Sequence, residues 1–197
     1  MKKHITIIAI LIYVIIQNTS LAQIQEFNTQ RHTTDKRLMQ GLGSWASLNI
    51  LSSGIGWAVS DNQINKAFHQ MNVFWNTVNL GLAIPGYIKA KKGKTELSFA
   101  ETIEEQRKTE TIFLINAGID LAYISSGILL KNRSEQNMDK KNQLIGFGNS
   151  IILQGGFLLV FDWIAYGIHR KHARTRLNPL LRKIEPSSQG IGLILHL

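Results

Sequence analysis

Apolar residues along this chain are gathered into four stretches, and charged residues fall between them. The stretches cover residues 40–59, 68–88, 111–130 and 144–168, and the only formal charges inside them are Asp120 and Asp162. A helix of about twenty apolar residues crosses the roughly 30 Å hydrocarbon layer of a bilayer, whereas a surface helix of a soluble protein shows a charged face. The pattern predicts an all-α membrane protein, with four transmembrane helices in a bundle of two helical hairpins.

A shorter apolar run near the N-terminus has the form of an export signal. Lys2 and Lys3 precede the twelve-residue run 5–16, and Ser20-Leu21-Ala22 places small residues before a cut at Gln23. We therefore expect a cleaved signal peptide at residues 1–22, with an uncleaved N-terminal anchor as the alternative. A polar N-terminal segment, residues 23–39, leads to the first span.

The connections between the spans are polar, and the longest of them is residues 89–110. Within it, Ser98-Phe99-Ala100-Glu101 fits a capping box, so we expect a helix that starts near Phe99 and runs without a break into the third span. Pro85 is expected to kink or end the second span. The tail, residues 169–197, is basic and finishes in a short apolar end that is expected to pack locally.

Charge and composition exclude several classes of protein. The formal net charge is +9 and there are no cysteines, which excludes disulfides and thiolate chemistry. We find no soluble basic face or module for nucleic acid, so the lipid bilayer is the expected partner of the positive residues. If there are four spans, fifteen Lys and Arg residues lie on the side of the N-terminal segment and five on the other. The positive-inside rule places the first side in the cytoplasm, whereas a cleaved signal places it outside, so the orientation stays open.

Each span also carries polar or small residues on one helix face. In the third span, Asn116, Asp120 and Tyr123 follow the i, i+4, i+7 spacing of a single face. Membrane helices associate through small residues and side-chain hydrogen bonds worth about 0.6–2 kcal/mol each, so the amides are expected to join the helices. The candidates for this polar core, or for a transport path, are Asn49, Asn72, Asn76, Asn79, Asn116, Asp120, Tyr123, Gln154 and Asp162.

The two aspartates raise a separate question, because a charge inside a bilayer costs several kcal/mol. The spans contain no cation that could pair with Asp120, which leaves two hypotheses: a neutral hydrogen-bonding element, or a proton or ion site. Asp162 lies about 10 Å nearer the basic side by helical rise, and we expect it to pair there with His169 or Arg170. That separation argues against joint chemistry by the two aspartates.

No motif predicts a catalytic, cofactor or metal site. The sequence has no Gly-rich phosphate loop, no G-x-S-x-G and no H-E-x-x-H. His69 is predicted on one side of the membrane and His32, His169 and His172 on the other, which argues against shared metal or haem ligation. Trp45 and Trp75 lie deeper than interfacial anchors do, and we expect them to pack against neighbouring helices.

Several short segments carry a resemblance to a known family: Phe68-His69-Gln70-Met71-Asn72, Trp75-Asn76 and Val78-Asn79, then Asn116 with Asp120 and Tyr123, and Gln154-Gly155 with Phe161-Asp162. Over roughly residues 40–170 the chain resembles an uncharacterised family of small bacterial multi-span membrane proteins found in Bacteroidota, which carry a domain of unknown function. The resemblance implies a fold and no activity.

Our leading hypothesis from the sequence is a non-enzymatic integral membrane protein, structural or partner-binding, in a bacterial membrane and most simply the inner one. Its partner would be a second copy of the chain or another membrane protein. The alternative is a small oligomeric proton- or ion-coupled carrier that uses Asp120. A membrane-embedded enzyme with Asp120 and Asp162 as an acid–base pair comes third.

Overall fold

The computed structural model describes the backbone of residues 2–182, 184–187 and 190–193, and the side chains of residues 21–181. Four long helices make up most of it: α1 (Lys2–Val59), α2 (Gln63–Lys92), α3 (Phe99–Arg133) and α4 (Lys141–His172). A π-helical turn, Ala173–Leu177, carries α4 into a short helix α5 (Asn178–Arg182). The strands β1 (Ile184–Ser187) and β2 (Gly190–Leu193) then pair antiparallel, with Ile184 opposite Leu193. The all-α architecture predicted from the sequence is confirmed.

Helix α1 is longer than the first predicted span. The polar segment 23–39 is not a separate element, because α1 is continuous from Lys2 and includes the backbone of the predicted signal peptide. The described residues do not test whether that peptide is cleaved. The predicted local packing of the apolar end of the tail concerns side chains outside the described residues.

The start of α3 and the course of α2 test two of the sequence predictions. Ser98 caps α3 by accepting from the Glu101 backbone N–H, and the Glu101 carboxylate accepts from the Ser98 backbone N–H. This confirms the capping box and the unbroken helix from Phe99. Pro85 was expected to kink or end the second span; it does not end the helix, since α2 continues to Lys92, and the kink stays a prediction. Pro85 lies seven residues from that end, where one missing N–H can be tolerated.

The helices form two antiparallel hairpins, α1 with α2 and α3 with α4, and the hairpins meet through α2 and α4. Within the described residues, α2 and α3 scarcely contact each other. Helices α3 and α4 approach closely at glycines: a Cβ added to Gly127 would lie 2.8 Å from the carbonyl oxygen of Gly148. Small residues at such crossings are typical of membrane helix pairs.

Helices α3 and α4, with the turns that follow them, are long and apolar enough to cross a membrane over Phe99–Gln136 and Met138–Leu181. This assignment rests on length and composition. It supports association with a membrane and defines two candidate spans.

Candidate functional site

A chain of hydrogen-bonded amides connects α1, α2 and α4 in the middle of the bundle. The indole N–H of Trp45 donates to Oε1 of Gln154 over 3.0 Å, and Nε2 of Gln154 donates to Oδ1 of Asn72. Nδ2 of Asn72 donates in turn to Oδ1 of Asn49 over 2.9 Å and to the hydroxyl of Ser53 over 2.6 Å. We call these residues, with Asn76 and Asn79, the amide chain.

The remaining members of the amide chain continue it along α2. Nδ2 of Asn76 donates to the backbone carbonyl of Asn72 over 2.8 Å, and Nδ2 of Asn79 donates to Oδ1 of Asn76 over 3.4 Å. Gln154 and Asn76 are completely buried. Buried amides with hydrogen-bond partners stabilise a helix pair, whereas the same groups without partners would destabilise it.

Two pairs of aromatic rings join neighbouring helices. The Trp45 ring stacks on Phe157 at a centroid distance of 3.9 Å, and Trp75 meets Tyr123 edge-on at 4.7 Å. Both tryptophans therefore pack against neighbouring helices, as predicted.

The carboxyl groups of Asp120 and Asp162 lie close to each other between α3 and α4, within reach of a hydrogen bond. The sequence placed the two residues a turn or two apart in depth, yet their side chains approach each other. The Cα–Cβ bond of a helical residue tilts toward the helix N-terminus. Because α3 and α4 are antiparallel, the two side chains lean toward each other and close a separation that counting along each helix overstates.

The expected pairing of Asp162 with a cation near the membrane surface was wrong. His169 instead contacts Asp35, with Nε2 3.0 Å from Oδ1, and Arg170 donates to Oε2 of Glu110 over 3.0 Å. Asp120 and Asp162 are 3% and 5% exposed. A hydrogen bond between two carboxyl groups requires a proton on one of them.

The acid pair lies in the wall of a cleft of about 320 Å³. We call it the acid cleft. Its sides include Val78 and Leu82 of α2 and Ile112 and Ile119 of α3, all exposed on the bundle surface. The cleft lies between α2 and α3, whose backbones stay apart, and the rings of Trp75 and Tyr123 that meet across it are part of its lining. Its polar lining consists of Asn79, Asn116, Asp120, Tyr123 and Asp162.

The predicted polar core therefore divides into two groups. Asn49, Asn72, Asn76 and Gln154 belong to the amide chain, while Asn116, Asp120, Tyr123 and Asp162 line the acid cleft. Asn79 belongs to both. Oδ2 of Asp120 is buried and accepts from no N–H or hydroxyl group of the described residues, which leaves the neighbouring Asp162 carboxyl as its polar contact.

A third polar group lies at the basic end of the bundle, and the sequence analysis missed it. Nδ2 of the buried Asn28 donates to the hydroxyl of Thr102 over 2.9 Å, which joins α1 to α3. Nε2 of Gln106 donates to the carbonyl of His169 over 3.0 Å, which joins α3 to α4. The signal available was the helical spacing of Asn28, Arg31 and Asp35, which places them on one face of α1.

Titratable groups at this end are shifted by their surroundings. Hydrogen bonds from Ser98 lower the pKa of Glu101. Burial lowers the pKa of His172, and the nearby charges of His169, Arg176 and Arg31 act in the same direction. The ring of His172 stacks on Phe27 at a centroid distance of 4.3 Å, with one nitrogen 3.1 Å from Oε1 of Gln30. In the part of the chain that the structure describes, no three His, Asp or Glu side chains converge as metal ligands would.

A family of unknown function (DUF6992) matches the chain over residues 41–163, more than half of its length. The chain belongs to this family. No curated protein and no solved structure matches it. The DUF6992 region contains the whole amide chain and both members of the acid pair, whereas Arg31 and His169 at the basic end lie outside it. The family region agrees with the extent of the resemblance noted from the sequence.

Proposed function

We propose that this protein spans a bacterial inner membrane four times, is delivered there by the signal at residues 1–22, and binds a membrane-resident ligand or partner in the acid cleft. The four-span arrangement is supported by large apolar side chains exposed on every long helix. They include Leu51 of α1, Phe74 of α2, Leu129 of α3 and Val160 of α4. In water such a surface would be costly to expose, whereas lipid tails cover it without penalty.

Binding, rather than scaffolding alone, is supported by the contrast between the two polar groups. The amides of Asn72 and Gln154 find partners inside the protein. The acid pair instead lines a cleft that is walled by apolar residues, and Oδ2 of Asp120 receives no N–H or hydroxyl donor from the described residues. This geometry suits a ligand with an apolar body and a hydroxyl or amine donor. The proposal assigns no reaction.

Photo-crosslinking tests the binding proposal directly. A benzoylphenylalanine at Leu82, in the acid cleft, should give a discrete adduct by mass spectrometry in cells. The same group at Ile84, exposed on α2 and outside the cleft lining, should give only the distribution of bulk lipid. Identical products from the two positions would contradict the proposal.

The cleft residues themselves supply a second control. Asp120→Asn keeps an oxygen acceptor and a partner for Asp162, so the Leu82 adduct should persist in that variant. Asp120→Leu removes both the oxygen acceptor and the partner of Asp162, so the Leu82 adduct should disappear. Persistence of the adduct in Asp120→Leu would show that the acid pair takes no part in binding.

A proton-coupled carrier is the second candidate, because two neighbouring carboxyl groups, which can share a proton, line a cavity. Four spans are few for a monomeric carrier, so this function requires an oligomer. Here Asp120→Asn should abolish pH-driven flux in proteoliposomes, although it should preserve binding. Wild-type proteoliposomes without flux, from protein that stays monomeric, would remove this candidate.

A further inference from the structure

A larger pocket, of about 550 Å³, lies beside the acid cleft at the basic end of the bundle. We call it the headgroup pocket. It is enclosed by α1, the end of α2, the connection after Lys92 and the start of α3. The headgroup pocket and the acid cleft share Met39, Ile112 and Phe113 in their walls. The two spaces therefore adjoin along the gap between α2 and α3.

Arg31 is a buried side chain of this pocket whose hydrogen-bond donors are not all paired. It is 2% exposed, and its Nε is buried without a hydrogen-bond acceptor among the described residues. The carboxylate of Glu105 lies 3.7 Å from one of its terminal nitrogens, longer than a hydrogen bond. Burial lowers the pKa of Arg31, although Asp35 and Glu105 oppose this effect. A guanidinium carries five N–H donors and stays charged. This site therefore holds a buried cation that can donate further hydrogen bonds.

Further cations border the same pocket. Lys89 follows directly on the exposed Ile88, where the apolar surface of α2 ends, and Lys94 lies in the connection to α3. His32 holds this connection in place, with Nε2 3.0 Å from the carbonyl oxygen of Lys94. Its ring also packs against Gly93 so closely that a Cβ there would collide with it. The connection is thereby held against α1.

The pocket also carries negative charge that differs in availability. Glu101 is occupied by its capping box and Asp35 contacts His169. Glu104 is exposed, and the half-buried Glu105 lies 3.7 Å from Arg31 and 3.9 Å from Lys108; both carboxylates line the pocket on the α3 side. Arginine binds phosphate through two parallel hydrogen bonds, while a carboxylate attracts an ammonium. The charges therefore complement a group that contains both phosphate and ammonium.

We propose that the headgroup pocket binds a phospholipid whose headgroup carries a phosphate and a primary ammonium, with the phosphate on Arg31 and an acyl chain against the shared wall of Met39, Ile112 and Phe113. Continuity with an apolar cleft selects a lipid over a free phosphate compound. This inference rests on the proposed insertion of the bundle in a membrane and names a lipid class for the adjoining pocket. Lys89 and Lys94 add to phosphate binding, and Glu104 and Glu105 lie on the ammonium side.

Native mass spectrometry of the full chain in detergent tests the proposal with palmitoyl-oleoyl-phosphatidylethanolamine as the probe. Wild-type protein should retain this lipid at least tenfold better than the Arg31→Gln variant. Arg37→Gln is the matched control, since Arg37 is exposed on the same helix six residues further on; it should bind as wild type does. Equal retention by Arg31→Gln and wild type would overturn the proposal.

Two further probes separate the sources of binding energy. Glycerophosphoethanolamine, which has the headgroup without chains, should bind at least tenfold more weakly than the lipid. Phosphatidylglycerol, which lacks the ammonium, should also bind more weakly. If glycerophosphoethanolamine binds as well as the lipid, the site is one for a soluble phosphate compound and the proposal is wrong.

Folding and membrane insertion are controlled separately. If Arg31→Gln fails to fold, the double variant Lys89→Gln/Lys94→Gln replaces it, because both lysines are exposed; it should retain less lipid than wild type, and unchanged retention would overturn the proposal. Carbonate extraction reports membrane integration independently. A chain that resists extraction but retains no lipid refutes this inference alone, whereas a chain released by carbonate refutes the membrane function beneath it.

Discussion

Helix α4 meets α2 and α3 along two faces that hold their partners in different ways. Toward α2 it presents Gln154, whose side chain bonds to Asn72 and accepts from Trp45 of α1. Toward α3 it presents glycines that allow backbone contact, and the acid pair. The first interface satisfies its amides within the protein, whereas the second places two carboxyl groups in the lining of a cleft. The amides therefore stabilise the bundle, whereas the acid pair is available to a ligand.

Breaking the first interface should have the largest effect. Gln154→Leu removes the hydrogen bonds to Trp45 and Asn72, and at about 0.6–2 kcal/mol each within a bilayer the loss should be about 1–4 kcal/mol. Unfolding by sodium dodecyl sulfate in mixed micelles measures it. Ser125→Ala is the control, because this exposed hydroxyl bonds only to the carbonyl of Leu121 in its own helix. Equal effects of the two changes would mean that the amide chain does not stabilise the bundle.

The α3–α4 interface should be destabilised when a side chain is added at its closest glycine contact. Gly127→Ala places a Cβ 2.8 Å from a backbone oxygen of α4, so the helices must separate and stability should fall by about 1–3 kcal/mol. Gly118→Ala on the same helix meets nothing within 4 Å, and alanine favours a helix over glycine. It should leave stability unchanged or raise it. A loss from both variants would indicate that helix propensity or folding in the membrane, not close packing, limits stability.

The acid pair should contribute little to stability when it is replaced conservatively. Asp120→Asn keeps a hydrogen bond to Asp162 without needing a shared proton, and we expect a change below about 1 kcal/mol. Asp120→Leu leaves Asp162 without this partner and should be clearly more destabilising in the same micelle titration. If Asp120→Asn destabilises as much as Asp120→Leu, the pair is a structural element of the α3–α4 interface.

The smallest effect is expected where α4 leaves the apolar region. Because the pKa of His172 is lowered in the folded state, the unfolded chain binds its proton first as the pH falls. Stability should therefore decrease below about pH 6.5, the ordinary histidine value. His172→Gln should flatten this dependence in thermal unfolding between pH 5 and 7. An unchanged slope would assign the pH dependence to other groups.

The sequence predicted the helices and most of the polar residues, but not how those residues are grouped. Periodicity placed Asn72, Asn76 and Gln154 on inward faces because an amide in an apolar stretch needs a partner. It could not show that Asp120 and Asp162 meet, since that depends on the antiparallel lean of two side chains. The sequence also predicted a separate polar segment at residues 23–39, whereas these residues belong to helix α1. The buried Arg31 was missed because burial of a cation is decided by α2 and α3, far away in sequence.

The acid cleft is proposed to open to lipid. The accessibility of a spin label in its lining tests this proposal most directly. The chain has no cysteine, so Leu158→Cys gives one labelling site in the cleft lining, and Ile151→Cys gives a matched buried site on α4. In proteoliposomes, the label at residue 158 should collide readily with oxygen, which concentrates in lipid, and rarely with an aqueous nickel complex. The label at residue 151 should be shielded from both. Equal shielding at residues 158 and 151 would contradict an open cleft, and collisions with the nickel complex at 158 would show a water-filled one.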